Sequence, residues 1–292
     1  MSTQPTPVGR DSVEPQLERS EASAASISVA AHIARDARYA RAACVGRWGS
    51  TESHPTRRRA FAAALIFLAF LPALLAADLE AQRAEGQRIA AEARSLAPKT
   101  SSTNTAVLKV RDHRGVRSQI PVTIRTTVSD AQWHTDYISG DGLLFRVTRS
   151  PSAPSRYATG RVNDAAPQPA GNLLVPFAGS DFWLVDLGLD FFHWPEQRLV
   201  KKEQRRGEAC FVLESTTPKP APGGYSRVVA WLDQDTLGIV AAEAYDTRGK
   251  LMKEFEPKSF KKVNGQWRLK EMEIRNEQTD SRTSLIFDVE VQ

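Results

Sequence analysis

The residues best able to do chemistry in this 292-residue chain are few and scattered. Past residue 77 the histidines are His113, His134 and His193. None falls in the HExxH spacing that puts two imidazoles on one helix face for a metal, and there is neither a CxxC pair nor a GxSxG nucleophile elbow. His134 and His193 stand beside Trp133 and Trp194, where an imidazole packs or bridges to solvent. Cys210 precedes Phe211, Val212 and Leu213, so it reads as a small buried hydrophobe in a strand rather than a reactive thiol. Asp186 and Asp190 are four apart, so a helix would put both carboxylates on one face, ordinarily a solvated one. Gly223-Gly224 is too short to cradle a phosphate. The run Lys201-Lys202-Glu203-Gln204-Arg205-Arg206 could meet anionic headgroups or a partner, or simply be a solvated hairpin end. With no nucleophile, base or metal set, no enzyme is expected.

The side chains that stand out are aromatic and aliphatic, and most follow a period of two. Ala106, Leu108 and Val110 alternate with Val107, Lys109 and Arg111. After a turn at His113-Arg114-Gly115 a strand is expected over 118–128, with Pro121 placing it at an edge or a bulge. Strands 131–139 and 143–149 pair across Gly140-Asp141-Gly142. Residues 150–171, with prolines at 151, 154, 167 and 169, are expected to form a long loop. The most apolar stretch runs from Asp181 to Pro195, where Ser180 or Asp181 would cap a short helix. Beyond it strands recur at 198–206, 208–215, 226–233, 238–245, 251–257, 260–263, 266–275 and 282–291. The Asn264-Gly265 pair among them is the clearest hairpin turn. Thr283, Leu285, Phe287, Val289 and Val291 share one face of the last strand.

Ahead of the strands, Leu79, Ile89, Ala93 and Leu96 among good helix formers predict one amphipathic helix over about 78–96. Further upstream, Arg57-Arg58-Arg59 meets an apolar run, 61–77, that ends in small residues, the pattern of a signal peptide over 57–77. An uncleaved membrane anchor is the alternative, although Pro72 and the alanines weaken a spanning helix, and Sec or twin-arginine export both remain open. Residues 1–56 are rich in Ala, Ser and Arg and are expected to be a disordered extension, or to reflect a start assigned too far upstream. Residues 78–292 are expected to form one domain. The chain is formally +5, but from Asp78 onward 30 Lys and Arg face 28 Asp and Glu. Most of the excess is thus upstream, and no basic stripe for nucleic acid remains. Cys44 and Cys210 fall on opposite sides of the expected cleavage point, so no internal disulfide is expected. No cysteine follows the apolar run, so no lipid anchor is expected.

The fold expected is mainly β (α+β): a strongly curved antiparallel sheet forming an incomplete β-barrel of about eleven or twelve strands, covered by one or two helices. Four motifs carry a family resemblance. They are Gly179-Ser-Asp-Phe-Trp-Leu-Val-Asp-Leu with Phe191-Phe-His-Trp-Pro, Tyr225-Ser-Arg-Val-Val-Ala-Trp-Leu-Asp, Ala244-Tyr-Asp-Thr-Arg-Gly-Lys-Leu and Lys262-Val-Asn-Gly-Gln-Trp. From about residue 80 onward the chain resembles the outer-membrane lipoprotein-sorting proteins of the LolA-like superfamily. The resemblance implies an unclosed barrel whose apolar cavity shields acyl chains of lipoproteins or lipids, without catalysis or a cofactor. It also implies a periplasmic carrier, expected to be a monomer, working between an inner-membrane loading complex and an outer-membrane acceptor. A non-catalytic envelope binding module on the same scaffold is the alternative. Candidates for the cavity lining are Trp133, Phe145, Trp183, Phe191, Phe192, Trp194, Trp231, Trp267 and Phe287, each of which could equally be plain core.

Overall fold

The computed structural model describes residues 77–130, 132–263 and 266–288. The expected extension, the signal segment up to residue 76 and the Asn264-Gly265 turn lie outside them. The described chain opens with helix α1 (77–95). Then come β1 (Ser102–Arg111), β2 (Arg117–Ser129), β3 (Gln132–Ser139), β4 (Leu143–Ser150), β5 (Ala153–Arg161) and β6 (Gln168–Pro169). A plug follows, made of a 3-10 turn (Phe177–Gly179), the short helix α2 (Leu184–Gly188) and a second 3-10 turn (Asp190–His193). The chain then returns as β7 (Glu196–Arg205), β8 (Glu208–Thr216), β9 (Arg227–Asp233), β10 (Ile239–Tyr245), β11 (Leu251–Val263), β12 (Gln266–Asn276) and β13 (Ser281–Phe287).

All thirteen strands form one open, curved antiparallel sheet in the order β6-β5-β4-β3-β2-β1-β13-β12-β11-β10-β9-β8-β7. Two meanders thus share a seam at β1 and β13, where Leu108 sits between Leu285 and Ile120. The free edges are protected: β6 is two residues long and ends in Pro169, while β7 carries Lys201, Lys202 and Arg205. The sheet exceeds the expected strand number because β5 and β6 occupy the stretch expected as a loop. Its prolines stand at the ends of pairing: 151 and 154 at the β4–β5 tip, where the ladder slips, and 167 and 169 around β6. Residues 251–257 and 260–263 merge into β11 across a bulge beside Pro257. β2 is an inner strand rather than an edge. Pro121 fits because β3 ends at Ser139, opposite Val122, leaving only the Gly140 N–H, which donates to the Pro121 carbonyl (2.8 Å).

Helix α1 buries Gly86, Ile89, Ala90 and Ala93, one face at helical spacing. Leu79 and Leu96, expected on that face, are 36% and 37% exposed, because only the middle turns reach the sheet. The approach is close: a Cβ on Gly86 would lie 2.6 Å from the backbone of Arg198 in β7. The plug also departs from expectation, since α2 starts at Leu184 rather than behind a Ser180 or Asp181 cap. The Asp181 carboxylate is already engaged, accepting from Ser281 (2.5 Å) and Thr283 (2.9 Å). The Trp183 N–H is satisfied instead by Asp186 Oδ2 at 2.8 Å.

The core has two main parts. One gathers Leu108, Ile124, Tyr137, Phe145, Phe177 and Leu184 around the seam and the first meander. The other gathers Ile89 and Ala93 of α1, Phe191 and Phe192 of the plug, and Leu213, Val228 and Leu232 of the second meander. Among the described residues no helix is long and apolar enough to cross a membrane.

Candidate functional site

The plug is held to the sheet by a buried polar knot. Lys253 on β11, 2% exposed, donates to the Asp181 carbonyl (2.7 Å) and to Asp186 Oδ2 (2.9 Å). Its ammonium lies 3.4 Å from the Trp183 ring centre, so cation and ring face each other with water excluded. Asp186 Oδ1 accepts from the Tyr225 hydroxyl (2.8 Å), and the Tyr225 and Trp183 rings stack at 5.2 Å and 17°. Burial pulls the Lys253 pKa down, opposed by the Asp186 and Asp181 carboxylates. Burial drives the Tyr225 hydroxyl well above its usual range, and the Asp186 carboxylate adds to that rise. On the other side of α2, Asp190 accepts from the Tyr157 hydroxyl (3.0 Å) and the Trp194 indole N–H (3.3 Å). Neither Asp186 nor Asp190 lies on a solvated helix face: each ties the plug to the sheet or to itself. Gly188 leaves room for Tyr157, whose hydroxyl would collide with a Cβ there.

Between plug and sheet lies a chamber of about 90 Å³. Its roof is Phe182, Val185, Leu187, Leu189, Phe191 and Trp194, and its floor comes from Tyr137, Val228, Ile239, Phe255, Met272 and Ile274. Ala242 and Ala244 of β10 also line it, so the hollow opens where the floor carries the smallest side chains. Lys253 and Asp186 are the two charged groups on its wall, and they are paired. Its lining offers few polar partners, so it suits an apolar occupant better than a polar substrate.

Of the aromatic candidates, Phe191 and Trp194 line the chamber, and Trp183 caps its charged corner. Phe192 packs against Phe191 (4.3 Å between rings) on the side of α1. Phe145 is core, 5.1 Å from the Phe177 ring, and Phe287 packs beside the seam. Trp133 is buried in β3 and does not line the chamber. Trp231 lies on the opposite face of the sheet, and Trp267 is 42% exposed. Sequence reading missed Lys253, although it shares a phase with Phe255, and the two stand opposite Ala244 and Ala242 across the ladder. That phase was the available signal.

Behind Trp194 a second, open groove of about 500 Å³ runs between α1, the β4–β5 tip and residues 193–197. Gln87, Arg94, Ser152, His193 and Gln197 are its polar lining. Gln197 donates to the Phe191 and Trp194 carbonyls (2.9 Å each) and accepts from Ser215 (2.7 Å), fixing the backbone around the indole. Arg94 donates to the Phe192 carbonyl. Among the described residues no group of three or more His, Cys, Asp or Glu side chains could hold a metal ion.

A family model described as an uncharacterized protein matches residues 160–291, a span that contains all four motifs quoted above. No curated protein matches the chain. Solved structures do, and three of them are as follows. A DUF1329 family protein from Desulfovibrio piger has a TM-score of 0.59 at 20% identity, over 72% of this chain and 95% of its own. A domain described as outer membrane lipoprotein-sorting, from Vibrio parahaemolyticus, has a TM-score of 0.59 at 22% identity, over 70% and 91%. A LolA superfamily protein from Nitrosomonas europaea has a TM-score of 0.51 at 14% identity, over 71% and 93%. The chain thus shares its fold with the LolA superfamily and the outer-membrane lipoprotein-sorting domains, the resemblance its motifs carry.

Proposed function

We propose that this chain is a non-catalytic carrier of acyl chains, exported to the periplasm, which takes lipids or lipoproteins from an inner-membrane source to an outer-membrane acceptor. The half-barrel is the container and the plug its cover. The observation that carries this reading is the apolar chamber beneath Phe191 and Trp194, held open by the alanines of β10. Hydrocarbon left in water costs about 0.8 kcal/mol per methylene, so an acyl chain crossing an aqueous space needs such a wall around it.

The test is native mass spectrometry of protein purified from its own envelope, with Phe191→Asp alongside. Co-purifying lipid in the wild type and its loss in the variant are expected. The second reading, a binding or interaction module that carries nothing, is favoured by the modest size of the chamber. An empty wild-type protein would decide for it, whereas lipid retained by Phe191→Asp would overturn the placement of the cavity beneath Phe191.

A further inference from the structure

Chamber and groove differ in chemistry and share one wall. The chamber is apolar, whereas the polar side chains Gln87, Arg94, Ser152, His193 and Gln197 line the groove. Among the described residues only Trp194 borders both. Its backbone carbonyl is bound by Gln197 and its indole N–H by Asp190, so the partition is held from both ends. Arg94 supplies the groove's cation: it meets a single backbone carbonyl, and no carboxylate pairs with it among the described residues. Partial burial lowers its pKa with no carboxylate opposing the shift. A guanidinium so placed recognises the oxygens of a phosphate or carboxylate.

We infer that the groove between α1 and the β4–β5 tip is the headgroup site of the same ligand, selecting an amphiphile with an anionic head whose tail passes Trp194 into the chamber. The inference rests on the acyl-chain reading above and adds the head chemistry to it. The ligand lies across the partition, its tail beneath Phe191 and its phosphate or carboxylate at Arg94.

The test is displacement of a fluorescent fatty acid from the described domain within the full chain. Three single-tailed competitors of equal chain length, all below their micelle concentrations, serve as probes: monopalmitoyl glycerol phosphate, palmitate and monopalmitoylglycerol. At least one of the two anions is expected to bind about tenfold more tightly than the neutral glyceride, the worth of one charge-assisted hydrogen bond. Whichever anion shows the preference identifies the head as phosphate or carboxylate. Arg94→Gln is expected to erase the preference. Since Arg94 also holds the plug, Ser152→Asp is the second variant. It adds a negative charge at an exposed position on the groove rim and is expected to weaken the anions alone. Equal binding of all three competitors, or an undiminished anion preference in both variants, would overturn the headgroup site and leave the carrier standing. Failure of every competitor to bind the wild type would sink the carrier reading itself.

Discussion

The two faces of strands β8, β9 and β10 are both apolar and both buried, yet they are closed in different ways. The outer face gathers Cys210, Val212, Trp231, Val240 and Ala241 into a small, filled cluster. It is roofed by side chains from its own neighbourhood: the Arg205 guanidinium lies 3.9 Å over the Trp231 ring, and Glu203 accepts from its indole N–H at 2.6 Å. Part of the basic run read as a headgroup patch or a solvated hairpin end is thus spent as cover, with the Arg205 cation lying on a ring. The inner face carries Leu213, Val228, Ala230, Leu232 and Ile239 and is roofed by separate elements, α1 and the plug. Flexible side chains settle onto whatever lies beneath them. A plug held at fixed points by Asp181, Asp186 and Lys253 cannot, and a hollow survives under it.

The largest effect that would test this contrast is expected at the fixed point itself. Lys253→Met leaves the Asp186 carboxylate buried without its cation and should cost about 3–5 kcal/mol in urea unfolding. If Lys253→Met cost less than about 1 kcal/mol, the knot would not be what holds the plug. Next in size is the pair of tryptophans. Trp231→Ala, in a filled cluster, should cost about 3 kcal/mol and leave acyl-chain binding untouched. Trp194→Ala already borders open space on both sides and should cost about 1–2 kcal/mol less than that while changing binding. Equal costs with unchanged binding would erase the difference between the faces.

The smallest effect concerns acid. Burial first, then Arg94 on α1 and Arg149 on β4, hold the His193 pKa below the ordinary 6.5, and Asp190 opposes them. The folded form therefore takes up its proton later than the unfolded one, so stability present above pH 6.5 is lost as pH falls below that value. Unfolding midpoints across this range should slope less in His193→Gln than in the wild type. A parallel slope would show that the imbalance lies elsewhere.

Much of this arrangement could be read from the chain beforehand, and the exceptions share a cause. Thr283, Leu285 and Phe287 keep strict alternation, and β13 lies where that pattern puts it. In β9 the alternation is silent, because Val228, Ala230 and Leu232 on one side and Val229 and Trp231 on the other are all apolar. Nothing local tells Trp231 to face outward. β5 hid among prolines and small polar residues because its pairing is set by β4, not by its own composition. The capping of α2 escaped because Asp181 is committed to Ser281 and Thr283, a hundred residues further on. The chamber was implied by the resemblance, but its polar knot was visible only as the odd phase of Lys253.

The seam between β1 and β13 has its own implication for how the molecule comes into being. The middle of the sheet is made by the strands furthest apart in sequence, with Ala106 opposite Phe287 and Val110 opposite Thr283. Neither meander can bury its central apolar row until synthesis has reached the other end. Topologies dominated by such distant pairings fold slowly, over milliseconds to seconds. The nascent polypeptide thus stays threadable for longer than a helical bundle of equal length would.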